Sequence, residues 1–100
     1  MKLEELENKL GYHFHDRRLL EHALCHSSYA NEHRSAHLHS NERLEFLGDS
    51  VLGFVAAKYL FEKETGPEGE LTKLRAAVVC EGALCEIARE LGIPEQIRLG

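Results

Sequence analysis

The sequence predicts an all-α fold, and three observations support that prediction. Apolar residues recur three and four positions apart along most of the chain, no stretch shows the alternation of a half-buried strand, and Gly, Pro and Asn separate the periodic stretches. The chain has 100 residues, 43% of them hydrophobic and 29% charged, which is typical of one small globular domain. We therefore expect a single helical core.

The first two predicted helices are short. Three leucines spaced three and four residues apart precede Gly11, a pattern that predicts an amphipathic helix with a glycine stop. Asp16 is a suitable N-cap for a second helix over residues 17–25. The buried stripe of that helix is expected to comprise Leu19, Leu20, Ala23 and Leu24.

The polar stretch over residues 27–40 is expected to be a loop, because it has no sustained apolar periodicity. This stretch and the helix before it carry five histidines, His22, His26, His33, His37 and His39. A zinc site at these histidines is a weak alternative, since no cysteine lies at ligand spacing and no His-Glu-x-x-His motif accompanies them.

The longest predicted helix begins after Asn41, its expected N-cap, and continues to about Glu64, where a Gly-Pro pair ends it. After a predicted turn over residues 66–69, apolar spacing predicts a fourth helix over residues 71–78 and a fifth over residues 84–91. The expected fold therefore has five helices, with the long one at its centre.

Three acidic residues of the long helix, Glu42, Glu45 and Asp49, project from one face, because they occupy positions i, i+3 and i+7. Like charges at this spacing repel by about 0.2–0.5 kcal/mol per pair. No Lys or Arg lies three or four residues from Glu45 or Asp49. Asp49 interrupts an apolar stretch that also contains Gly48 and Gly53, glycines that are tolerated where a backbone or a ligand comes close. We expect a crowded, partly buried acidic face.

Oxygen ligands of this kind suit a hard divalent cation such as Mg²⁺, which binds through one or two carboxylates and keeps several waters. We therefore predict a metal site at Glu45 and Asp49, with Glu42 as a further candidate. Two alternatives remain open. The acids could pair with a cation from another element, such as Arg75, or Arg43 of a second subunit, and Glu42 could simply be solvated.

The balance of charge and the hydropathy of the chain limit its partners. Twelve Lys and Arg against seventeen Asp and Glu give a formal net charge of −5, which argues against simple attraction to phosphate. We expect RNA binding by this chain alone to be weak. The longest apolar run is too short to cross a bilayer, and the N-terminus is too acidic for a signal peptide, so we expect a cytoplasmic protein with no membrane partner.

Residues 41–52, Asn-Glu-Arg-Leu-Glu-Phe-Leu-Gly-Asp-Ser-Val-Leu, resemble the signature helix of the bacterial ribonuclease III endonuclease domain. The resemblance extends to residues 23–29, 69–76 and 84–91, and so covers nearly the whole chain. It implies an all-helical homodimer that uses Mg²⁺, or Mn²⁺ in its place, to cleave double-stranded RNA to 5′-phosphate and 3′-hydroxyl ends. The implied targets are precursors of rRNA, mRNA and tRNA. Phe46 would pack into a pocket of the other subunit at the dimer interface.

The resemblance also implies roles for the acidic residues. Glu45 would be a metal ligand, and Asp49 would be both a ligand and the catalytic carboxylate. Glu42 corresponds to an acidic signature position nearby. Glu68 or Glu70 corresponds to an acidic turn that faces the cleft from the partner subunit.

The family has two further features that do not lie within residues 1–100, an Asp-x-x-Glu pair on a later helix and a separate double-stranded-RNA-binding domain. We therefore interpret residues 1–100 as the N-terminal part of a ribonuclease III endonuclease domain and expect this chain alone to be inactive. The alternative from another class is a non-catalytic helical dimerisation or RNA-processing module that keeps the signature helix for assembly.

Overall fold

The computed structural model describes residues 2–36 and 38–100, so that His37 of the histidine-rich stretch lies outside the described residues. The helices are α1 (Lys2–Leu10), α2 (Arg17–Ala23), α3 (Ser27–Glu32), α4 (Glu42–Lys63), α5 (Glu68–Val78) and α6 (Glu81–Leu91), with a 3-10 turn over Arg34–Ala36. Extended pairing within these ranges is limited to an isolated parallel bridge between Cys25 and Arg98. The predicted all-α fold is confirmed.

The core of the N-terminal part lies between α1 and α2. Leu6, Leu20 and Leu24 form its buried centre. The partly buried residues packed against it are Leu3, Phe14, Leu91 and Ile93. The last two of these belong to the end of α6 and the residues after it, so the two ends of the chain meet in this core.

The predicted cap of α2 is confirmed, but its predicted buried stripe is wrong in part. The carboxylate of Asp16 accepts a hydrogen bond from the backbone N–H of Arg18 at 3.1 Å. Leu20 and Leu24 are buried, whereas Leu19 and Ala23 are exposed. These pairs lie on adjacent faces of a two-turn helix, and the face that carries Leu20 and Leu24 is the one that packs against Leu6 of α1.

The prediction of a loop over residues 27–40 is wrong for its first half, where α3 forms. His26 caps this helix, since its ring Nδ1 accepts a hydrogen bond from the backbone N–H of Ser28 at 3.1 Å. Ala30 of this helix is buried. Six residues span less than two turns, which is too short for an apolar period to show in the sequence.

The long helix begins one residue after Asn41 and ends one residue before Glu64, as predicted. The predicted side-chain cap by Asn41 is wrong, because its amide nitrogen instead donates to the carbonyl of Ala23 at 2.7 Å. The predicted turn is also shorter, since α5 already begins at Glu68. The last helix stops at Gly92 as expected, in the left-handed conformation with φ 73°.

The molecule is elongated, with extents of 52 × 26 × 24 Å and a radius of gyration of 16.0 Å, compared with about 13 Å for a typical domain of this length. Its accessible surface is 7973 Å², whereas a folded monomer of this mass exposes about 5,700 Å². The long helix α4 packs against α5. Its exposed large apolar residues are Phe46, Leu47, Val51, Leu52, Phe54, Val55, Tyr59 and Phe61. A helix that is apolar on all sides is normally covered, so this surface is suited to a partner or a further layer.

Within residues 2–36 and 38–100, each helix is too short or too polar to span a membrane.

Candidate active site

The three predicted acids come together in one groove beside the N-terminal half of α4. Glu42, Glu45 and Asp49 all line this acidic groove, whose volume is about 870 Å³. Leu84 of α6 also lines it. The other lining residues are Phe46, Gly48, Ser50 and Leu52. The spacing of the acids along one helix therefore brings them to a common space, as predicted.

The expectation that this face is partly buried is wrong for the single chain, because Glu42, Glu45 and Asp49 are all exposed. The physical reason is that α5 covers the other half of α4 and leaves this half open. The predicted close approach at the glycines is also absent among the described residues, since a Cβ built on Gly48 or Gly53 meets nothing within 4 Å. The groove has room for another molecule at this point.

The carboxylates of the groove have no cationic partner within the part of the chain that the structure describes. The ion pairs found there join Glu7 to Arg17 and His13, Asp16 to Arg18, and Lys58 to Glu62. Arg75, which was considered as a partner of the acids, lines a different groove. Pairing with Arg75 of the same chain is therefore not supported, and the charge of the three acids remains uncompensated.

The donors fit Mg²⁺ in kind, although they supply only part of a coordination shell. Among residues 2–36 and 38–100, no group of three or more His, Cys, Asp or Glu is close enough to hold a metal ion. Mg²⁺ commonly binds through one or two carboxylates and completes its octahedron with waters and substrate phosphate. Glu45 and Asp49, one helical turn apart and exposed, can serve as such a pair.

The histidines do not support the zinc alternative. The ring Nε2 of His22 lies 2.8 Å from the carbonyl oxygen of Ser40, and the ring of His26 caps α3. His33 Nδ1 lies 2.9 Å from the carbonyl oxygen of Tyr29. Each of these three rings thus forms a hydrogen bond with a backbone atom of the N-terminal part.

Glu68 does not line the acidic groove of its own chain. It lines a groove of about 470 Å³ between α4 and α5, which we call the apolar groove. The apolar groove is lined by Phe54, Ala57, Leu60, Phe61 and Leu71, with Lys58, Glu68, Thr72 and Arg75. Glu70, the other acid considered, folds its carboxylate back against Gly66. Of the two acids, Glu68 is therefore the one that faces an open groove.

Phe46 projects from α4 beside the acidic groove, with 82% of its surface exposed. It is one position from Glu45 and also borders a third groove with Arg43 and Leu47. An aromatic side chain so exposed loses most of the free energy that its burial would provide, about 1.5–3 kcal/mol. The exposure leaves the ring of Phe46 free for the interface contact that we expect, and that role stays a prediction.

Among the lining residues of the acidic groove that the sequence did not single out are Ser50 and Leu84. Ser50 directly follows Asp49, and its hydroxyl could have been noticed as a polar group beside a candidate ligand. Leu84 carries no local signal, because its place in the lining of the groove depends on how α6 packs. Both residues shape the space in which the carboxylates act.

Comparison with known proteins gives one consistent result. A family model described as Ribonuclease-III-like matches residues 16–100. Ribonuclease 3 of Symbiobacterium thermophilum is 61% identical over 92 residues, a match that covers 91% of this chain and 38% of the relative. Ribonuclease 3 of Oceanobacillus iheyensis is 50% identical over 101 residues, covering 100% of this chain and 44% of the relative. The chain thus spans about two fifths of the length of these curated relatives.

A solved structure shows the same fold. The nuclease domain of ribonuclease III from Campylobacter jejuni, described for flexibility in a region involved in dimer formation, superposes with a TM-score of 0.87 at 44% identity. The match covers 98% of this chain and 65% of that one.

Proposed function

The chain belongs to the ribonuclease III family, and from this premise we propose that its acidic groove is part of the active site of an endoribonuclease that cleaves double-stranded RNA. The observation that carries the proposal is that Glu42, Glu45 and Asp49 line one open groove with no cation paired to them in the described chain. Uncompensated carboxylates at this density favour a bound divalent cation over an empty surface.

Glu45 and Asp49 are the residues that would hold Mg²⁺, or Mn²⁺ in its place. When bound, such a cation makes a coordinated water nucleophilic near neutral pH and stabilises charge on the attacking and leaving oxygens. Asp49 lies two turns into α4, where the helix backbone fixes the point from which its side chain projects. Glu42 and Ser50 offer further oxygen atoms beside the same space. Hydrolysis that breaks the P–O3′ bond would leave the phosphate on the 5′ oxygen of the downstream nucleotide, and so give 5′-phosphate and 3′-hydroxyl ends.

Double-stranded RNA suits the groove, because A-form RNA is bound through its shape, its phosphates and its 2′-hydroxyls rather than its base edges. The groove is open and its carboxylates are exposed, so the backbone of a duplex can approach them. With a net charge of −5, the chain depends on the cation to bring phosphate near. By family, the substrates would be precursors of rRNA, mRNA and tRNA, processed in the cytoplasm.

We extend the proposal to a homodimer in which each Phe46 packs against the partner. Phe46 is 82% exposed, and the apolar groove, lined by Phe54 and Phe61 among others, is a described surface of matching chemistry. Two-fold symmetry would form this contact twice. It would also allow Glu68, which borders the apolar groove, to face the acidic groove of the other subunit.

The test is cleavage of duplex RNA by the full gene product that carries these residues. Asp49→Asn keeps the shape of the side chain and removes its charge, so we expect cleavage with Mg²⁺ to be abolished. Glu62→Gln is the matched control, an acid on the same helix that pairs with Lys58 away from the groove, and it should leave cleavage unchanged. Full activity of the Asp49→Asn protein would contradict the proposal.

One observation favours the alternative, a non-catalytic assembly module. The described residues hold no group of three or more possible metal ligands, so the groove of one chain is an incomplete site. A full gene product that dimerises but does not cleave duplex RNA at any Mg²⁺ concentration would support this alternative. We expect the 100-residue chain alone to be inactive under either proposal.

A further inference from the structure

The start of α4 is tied to the end of α2 by three hydrogen bonds. The ring Nε2 of His22 lies 2.8 Å from the carbonyl oxygen of Ser40, and because a carbonyl only accepts, this nitrogen carries the proton and donates. The side-chain nitrogen of Asn41 donates to the carbonyl of Ala23 at 2.7 Å. The backbone N–H of Asn41 donates to the carbonyl of Cys25 at 2.8 Å. We call these three bonds the α2–α4 clamp.

Within the described residues, the first turn of α4 has few other restraints. The first N–H groups of any helix have no intrahelical acceptor. Asn41 provides no side-chain cap, and the hydroxyl of Ser40 accepts from the N–H of Glu42 only at a weak 3.4 Å. Two residues of this turn, Glu42 and Glu45, are exposed. A turn in this position is expected to fray unless the residues before it are held.

We propose that His22 and Asn41 are positioning residues for the carboxylates of the acidic groove. By holding Ser40 and Asn41 in place, the clamp fixes the first turn of α4 and with it the direction of Glu42 and Glu45. Asp49 lies one turn further along and is placed by the body of the helix. The inference rests on the proposed function, because it concerns the same carboxylates, but the clamp can be tested without RNA or metal.

The first test is amide hydrogen exchange on the chain itself. The N–H of Glu45 donates to the carbonyl of Asn41 at 2.8 Å and reports directly on the first turn. In His22→Ala we expect this amide to exchange roughly fivefold faster, the factor for one lost hydrogen bond, relative to the amide of Val55 in the middle of α4. His22→Gln, whose amide can donate from nearly the same place as the ring Nε2, should restore the wild-type ratio.

Asp16→Ala is the matched control. It removes the cap of α2 and so destabilises the same helix without removing a bond to Ser40 or Asn41. We expect its exchange ratio to stay at the wild-type value. An unchanged ratio in His22→Ala, or an equal change in Asp16→Ala, would overturn the clamp. If His22→Ala does not fold, Asn41→Ala, which removes only the bond to Ala23, gives the same readout.

The second test is the Mg²⁺ dependence of duplex RNA cleavage by the full gene product. His22→Ala and Asn41→Ala should raise the half-saturating Mg²⁺ concentration roughly fivefold and leave kcat at saturating Mg²⁺ within about twofold, because no ligand is removed. His22→Gln should behave as wild type. An unchanged Mg²⁺ requirement would refute the positioning role. A fully active Asp49→Asn protein would instead refute the proposed function, and the exchange ratio would still decide the clamp.

Discussion

Glu68 and Asp49 line different grooves of the same chain, Glu68 the apolar groove between α4 and α5 and Asp49 the acidic groove beside α6. If Glu68 contributes to cleavage, the geometry favours its acting on the acidic groove of a partner subunit. Residue spacing does not distinguish this arrangement from a site within one chain, because residues 19 positions apart on consecutive helices could also share one site. The resemblance to the family implies the arrangement across the dimer.

The first prediction concerns mixed dimers of the full gene product. We expect Asp49→Asn and Glu68→Gln each to impair cleavage when expressed alone. When the two variants are mixed and allowed to exchange subunits, half of the dimers are mixed and each contains one cleft with both residues intact. A quarter of all clefts should therefore be intact, and duplex RNA cleavage should return to about a quarter of the wild-type rate.

The control for this experiment is Glu70→Gln, since Glu70 folds back against Gly66 and should not impair cleavage. If mixing restores nothing while both single variants are inactive, Glu68 and Asp49 act within one chain or Glu68 acts only through stability.

The second prediction concerns Phe46 and the dimer. Phe46→Ala should weaken self-association of the full gene product, because two exposed rings lose a burial worth about 3 kcal/mol together, roughly a 100-fold change in the dimer dissociation constant. Sedimentation equilibrium measures this change. Leu19→Ala removes another exposed apolar side chain, 57% exposed on α2, and should leave the dissociation constant unchanged. Equal weakening by both variants would argue against a specific contact at Phe46.

The extent to which the sequence predicted this molecule depends on how local each signal is. The long helix α4 was predicted to within one residue at either end, because 22 residues with a Gly-Pro stop give an unambiguous pattern. The short helix α3 was not predicted. Its N-cap is His26, which accepts a hydrogen bond from the backbone N–H of Ser28, and histidine is not among the residues that usually cap helices. The three acids of α4 share a groove as predicted, because one helix carries them all.

What the sequence could not predict depends on contacts between elements. The exposure of Leu19 and the place of Leu84 in the acidic groove both depend on how the helices pack against one another. The exposure of the acidic face has the same origin, because an apolar stretch around Asp49 indicates a covered helix but not which molecule covers it. Helix spacing therefore predicts which residues share a face, and tertiary structure decides what that face meets.

The third prediction concerns acid stability and Glu7, whose carboxylate is almost fully buried. The backbone N–H of Phe14, donating at 2.7 Å, lowers the pKa of Glu7 from its ordinary value of 4.5, and the guanidinium of Arg17 at 2.7 Å adds to this against the opposing effect of burial. A carboxylate with a lowered folded-state pKa stabilises the fold above pH 4.5, and this stabilisation is lost as the pH falls through the folded-state pKa.

Chemical denaturation at pH 7 and at pH 3 checks this prediction. Glu7→Gln should be less stable than wild type at pH 7, because the charge facing Arg17 is lost, and the difference should shrink toward pH 3. Glu4→Gln changes an exposed acid of the same helix and should follow the wild-type pH dependence. A difference between Glu7→Gln and wild type that is constant across this pH range would contradict the assigned role of the carboxylate.

The last prediction concerns the order of stability with and without Mg²⁺. Without the cation, Asp49→Asn should be slightly more stable than wild type, by about 0.2–0.5 kcal/mol, because it relieves repulsion with Glu45 one turn away. With millimolar Mg²⁺ the order should reverse, since a ligand that binds only the folded state raises its stability as its concentration exceeds the dissociation constant. Thermal unfolding in a Mg²⁺ titration measures both effects, with Glu62→Gln as the variant that should track wild type throughout. If Mg²⁺ raises the thermal stability of Asp49→Asn as much as that of wild type, the carboxylate of Asp49 is not a ligand. The repulsion on this face must then be compensated by other means, such as a cation of the partner subunit.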